Sequence, residues 1–171
     1  AAITDTTLAD TLKTQQIVGI DLTMGRTFWL EPQKGDLESL VADRAGQNLA
    51  WHFTADTGKV RHYGIWLWEG SRNRVLPIVV EGTPGLPEGN TPSRHRRPFF
   101  SRNGERLFFG TAPKPVEEPK DTLLADERFS VDVWHWQDPL LQSQQLHNLQ
   151  RDRNRTFLAV YHIRSRRMVQ L

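Results

Sequence analysis

The sequence predicts an all-β fold of consecutive four-stranded antiparallel sheets, interrupted by one insertion that holds a short helix. Three observations carry this. Apolar residues fall in runs of four to eight, rich in Val, Ile, Phe, Trp and Tyr and bounded by Gly, Asn, Ser or Arg clusters. Helical periodicity is scarce. One strand–turn–strand pattern also occurs twice: residues 40–51 and 99–109 superpose with Gly46 on Gly104 and Leu49 on Leu107, both at an offset of 58 residues. Self-similarity at such a spacing marks a repeat architecture.

The elements follow in chain order. Residues 17–22 and 27–30 flank Thr23-Met24-Gly25-Arg26, where Gly25 can supply a positive φ, so a hairpin is expected. Residues 38–42 and 48–54 flank the 43–47 turn, and 63–68 and 75–80 flank the polar turn 69–74; together they make one meander. The stretch 83–98, with four prolines and two glycines, reads as a linker. The pattern then restarts with 98–101, an Asn103-Gly104 turn of the strong two-residue hairpin type, and 106–111. A closing hairpin pairs 157–163 with 168–171 across 164–167. Between these halves lies an insertion with an extended stretch at 130–136. A helix is expected over 139–153, where Leu141, Gln145, Leu149 and Asp152 share a stripe.

Two four-stranded units joined by a Pro/Gly linker, behind a stray hairpin, read as consecutive blades of an incomplete β-propeller. The boundaries are 1–37 for the outer half of a preceding blade, 38–82 for a blade, 83–97 for a Pro/Gly/Arg linker, and 98–171 for a blade with insertion 113–154. Blades would pack face to face through alternating apolar positions.

The 171 residues suffice for one domain, and 37% apolar content argues against disorder. A net charge of +2, from 22 basic against 20 acidic residues, argues against a dedicated nucleic-acid partner. No apolar run is long enough to span a bilayer, so no membrane association is expected. The opening Ala1-Ala2-Ile3-Thr4 fits either the remainder of a cleaved leader or an arbitrary chain end, so the location stays open, with periplasmic or secreted slightly favoured over cytoplasmic. With no cysteine, disulfides and thiolate metal sites are excluded.

Candidate sites are few. The six histidines lack ligand spacing, and His52, His135 and His162 sit inside apolar strands, where structural roles are expected; no metal or cofactor is implied. Trp66/Trp68 and Trp134/Trp136 each project to one face of a strand, either as contacts between blades or as a stacking surface for a ligand or partner. Arg94, His95, Arg96 and Arg97 form a basic cluster suited to a carboxylate or phosphate, or else a solvated linker paired with Glu117, Glu118 or Asp121. Arg151, Arg153 and Arg155 form a second. Asp132 and Asp138 read as a strand-edge charge and a turn cap rather than a catalytic pair. Asn154-Arg155-Thr156 fits a glycosylation acceptor.

Residues 101–109, Ser-Arg-Asn-Gly-Glu-Arg-Leu-Phe-Phe, resemble the Ser-x-Asp-Gly-x-x-Leu-x-Phe blade signature of propellers in the prolyl oligopeptidase family of serine peptidases, with Asn for the Asp. In the first copy Asp43 stands at the Ser and Ala45 at the Asp. The order of 108–113, 131–142 and 158–162 is similar to the propellers of large bacterial members, dipeptidyl or acylaminoacyl peptidases, and the likeness spans about residues 40–171. The resemblance implies a propeller that restricts substrate access to an α/β-hydrolase domain carrying the catalytic Ser, Asp and His. This chain has no Gly-x-Ser-x-Gly nucleophile elbow, so no catalytic residue is assigned and the chain is expected not to be an enzyme. The implied partners are the remaining blades, the hydrolase domain and the parent's peptide substrates; uncovered blade faces are expected to self-associate. The alternative is a free-standing ligand- or protein-binding β-domain, such as a sugar or haem module with His135 as ligand.

Overall fold

The structure is a computed structural model and describes residues 2–6 (backbone only), 13–21, 25–117, 133 and 135–171. The chain divides into two units, Ala1–Pro115 with Thr156–Leu171, and Val116–Arg155. The first is mostly β, in three antiparallel sheets.

The first sheet contains β1 (Ala2–Thr6), β2 (Thr14–Asp21), β3 (Arg26–Trp29) and β4 (Gln33–Lys34). β2 is central: β1 pairs along one side, β3 and β4 along the other. The expected hairpin is present as β2–β3, and β1 and β4 add strands beyond the sequence expectation.

The second sheet is the up-and-down meander β5 (Asp36–Ala42), β6 (Asn48–Thr54), β7 (Gly64–Glu69) and β8 (Arg74–Val79). A 3-10 turn, Gly70–Arg72, joins the last two strands. The third sheet repeats that order with β10 (Phe99–Phe100), β11 (Arg106–Pro113), β12 (Phe157–His162) and β13 (Arg167–Gln170). A short strand from the linker, β9 (Asn90–Pro92), extends the sheet along β11.

The 58-residue repeat reappears in the backbone bonding. Asp43 N–H donates to the Asn48 carbonyl at 3.0 Å, and Ser101 N–H to that of Arg106 at 2.8 Å. Gly46 and Gly104 each close the turn onto residue 43 or 101 at φ of 68° and 72°, where a side chain would be strained. Asn103 does not share the positive φ, so Asn103-Gly104 is not the two-residue hairpin turn expected from sequence. Phe100 pairs with Leu107, leaving a longer loop in which the Ser101 hydroxyl accepts the Arg106 N–H at 3.0 Å. That bond fixes a wide turn with a single left-handed residue.

Registers explain the packing. Leu49, Trp51, Trp66 and Trp68 lie on one face of the second sheet and pack with Ile17, Leu30 and Phe28 of the first. Ala50, Ile65, Leu67 and Val79 lie on the opposite face and pack with Leu107, Phe109, Ala159, Tyr161 and Met168 of the third. Burial on both faces is why β7 is almost continuously apolar. Each fully buried side chain of this size stabilises by roughly 1.5–3 kcal/mol. The far face of the third sheet carries a registered apolar row, Phe99, Phe108, Val160 and Val169, with Phe99 and Val169 still 48% and 42% exposed.

The second unit contains α1 (Gln142–Arg153), none of whose residues is buried. It starts later than the expected 139 because Leu141 is extended and the Gln144 side chain accepts the Leu141 N–H at 3.3 Å. The extended stretch expected at 130–136 lies largely outside the described residues.

Candidate functional site

The basic run at 94–97 sits in the link between β9 and β10, where successive side chains reach different partners. Arg94 donates to Glu38 and to the Tyr63 hydroxyl, each at 3.3 Å, and lies 5.9 Å over the Tyr63 ring. Arg96 donates to the Thr156 hydroxyl at 2.9 Å, and Arg97 to the Leu40 carbonyl at 3.0 Å. His95 donates its backbone N–H to Ser93 at 3.4 Å. The run therefore stitches β5 of the second sheet to the third instead of presenting one basic surface, and Arg94 pairs with Glu38.

Beneath Arg94 is a buried polar group. Tyr63 donates to Glu38 at 3.0 Å, and burial raises its phenol above the ordinary value, with Arg94 opposing the shift. His52, opposite Glu38 in register, is fully buried, and neither ring nitrogen has a hydrogen-bond partner. Burial lowers its pKa to about 4, so the ring is neutral. Tyr63 and His52 are enclosed beneath the partly exposed Arg94–Glu38 pair, which suits a structural polar contact rather than a reactive one.

The tryptophans separate by environment. Trp68 stacks on Phe28 with centroids 4.9 Å apart, and Trp66 meets Phe53 edge-on at 5.1 Å, both in the interior between the first and second sheets. Trp136 is 74% exposed and stacks with His135 in the second unit. Trp134 and Asp132 lie outside the described residues. Asp138 accepts the His135 N–H at 3.2 Å. Among the described residues, no three His, Asp or Glu side chains converge as metal ligands, and no helix is long and apolar enough to cross a membrane.

A cleft of about 520 Å³ opens where the turns of the second and third sheets meet. The β5–β6, β7–β8, β10–β11 and β12–β13 connections all contribute to it. The turns approach closely enough that a Cβ on Gly104 would stand 3.3 Å from the Asp43 carboxylate. The cleft wall includes five arginines, which linear inspection missed because they come from four separate turns.

No family model and no curated protein matches the chain. Among solved structures, the crystal structure of the tricorn protease is similar at a TM-score of 0.40 and 9% identity over 94% of this chain. The chain corresponds to 21% of that protein's chain, and the likeness is too distant to define an activity.

Proposed function

We propose that these residues are a non-catalytic run of β-propeller blades from a serine peptidase resembling the prolyl oligopeptidase family, where they restrict substrate access to a hydrolase domain. One observation carries the propeller reading. The second sheet is covered on both faces by its sequence neighbours, and the repeat presents equivalent residues in the same sense each time. Leu49 and Trp51 face back toward the first sheet; Leu107 and Phe109, 58 residues later, face back toward the second. The contacts of β5 with both β1 and β10 add support, since successive leading strands are neighbours around a propeller axis.

The far face of the third sheet fits this reading. Its Phe99–Phe108–Val160–Val169 row occupies the position of the second-sheet face that the third sheet covers, so a further blade of the parent would lie there. Without it, the face would drive self-association. The peptidase assignment rests on the blade signature at 101–109.

The test is catalytic and genetic together. The parent reading frame is expected to encode a Gly-x-Ser-x-Gly elbow, and the parent to hydrolyse peptide p-nitroanilides in a manner blocked by a serine-directed reagent. This chain by itself is expected to hydrolyse none. Turnover by the isolated chain, inhibited by such a reagent, would overturn the non-catalytic role.

A further inference from the structure

We infer that the cleft between the turns of the second and third sheets binds a small polyvalent oxyanion of the phosphate or carboxylate class, gripped by Arg44 and Arg102. The inference rests on the cleft's own residues and is independent of a peptidase parent. Arg44 and Arg102 occupy equivalent places in the repeated turn, 58 residues apart, and face packing of the two sheets brings both into one cavity wall. Each turn is held rigid by its own bonds. Asp43 accepts the Gln47 N–H at 2.8 Å and the Asn48 amide at 2.7 Å, while the Ser101 hydroxyl secures the other turn.

The acids of the cleft are already committed. Asp43 serves its turn. Glu69, with only 8% of its side chain exposed, lies 3.2 Å from Arg72 and 3.9 Å from Arg166. Glu105 lies 3.4 Å from Arg164 and accepts the Asn103 amide at 2.8 Å. Five arginines against three acids leave a net +2 on the wall. Among the described residues, Arg44 and Arg102 make no ion pair or hydrogen bond. Two guanidinium forks without partners in one cleft wall are suited to oxygens of one anion, because Arg meets carboxylate and phosphate bidentately. The cavity volume lies within the range of small-molecule sites.

Calorimetric titration of the intact chain at constant ionic strength, with pyrophosphate in one arm and citrate in the other, tests this and separates the two chemistries. Saturable one-site binding of at least one probe is expected. Arg44→Gln and Arg102→Gln should each weaken it about tenfold, the worth of one charge-assisted contact, and the double variant should abolish it. Arg167→Gln, on the outer face of the third sheet, should leave it unchanged, and all variants should keep the parent far-ultraviolet spectrum. Absence of saturable binding in both arms would overturn the inference, as would equal weakening by Arg167→Gln.

Discussion

Gly19→Ala is expected to disrupt the contact between the first and second sheets, although it adds a single methyl group. Gly19 pairs with Phe28 across β2 and β3, and the Phe28 ring lies over the glycine, so that a Cβ at position 19 would collide with the outer atoms of the ring. Phe28 cannot move freely, because its other side stacks on Trp68 at 4.9 Å and 13°. Overpacking costs about 1–3 kcal/mol, and loss of the aromatic stack a further ~0.5–1.5 kcal/mol. The total is about 2–4 kcal/mol, or roughly 4–16 °C in melting midpoint for a chain of this size. Thermal unfolding followed by circular dichroism and tryptophan fluorescence reads it. In a Phe28→Ala background the same substitution should become stabilising by up to about 1 kcal/mol, because the methyl group enters vacated space and Ala outranks Gly in a strand. Equal costs in both backgrounds would refute the stacking of Phe28 between Gly19 and Trp68.

Three other outcomes are expected. His52, neutral at a pKa near 4 when folded and 6.5 when free, stabilises fully above about pH 6.5 and progressively less down to pH 4, because the unfolded chain takes up the proton first. The loss should approach ~3 kcal/mol, and urea titrations across that window should show the slope flatten in His52→Phe. Phe109→Ala, which empties a fully buried site between the second and third sheets, should cost about 3–5 kcal/mol by the same titration. Arg166→Gly should be about 1 kcal/mol more stable than Arg166→Ala, since both lose the guanidinium but only Gly relieves the left-handed backbone.

Much of the β framework was legible because its punctuation is physical. Gly46 and Gly104 mark turns that need a positive φ, and the alternating apolar positions after them define strands facing two ways. Strand limits in the second and third sheets fall within a few residues of the sequence expectation. β1, β4 and β9 escaped because the first alternates only weakly, the second is two residues long, and the third is three residues inside a Pro/Gly stretch. The Asn-Gly pair misled about turn type because a side-chain bond from Ser101 outweighed local preference. Functional residues were less legible. Arg94, Arg96 and Arg97 are adjacent in sequence yet serve three different partners. Arg44 and Arg102 are distant in sequence yet share a cleft, and only the 58-residue offset applied to charged positions would have joined them.

The second and third sheets stack face to face with their repeated turns in contact. The chain has no cysteine, so an introduced pair can report on it without interference. The Gly104 Cβ position lies 3.8 Å from that of Asp43, the mean separation across a disulfide. Mild oxidation of the Asp43→Cys, Gly104→Cys double variant should give an intramolecular crosslink, seen as a mobility shift on non-reducing gels and absent from either single variant. Provided that both single variants keep the parent far-ultraviolet spectrum despite the strain of a side chain at φ 72°, a double variant that stays reduced, or links only between molecules, would contradict the stacked arrangement.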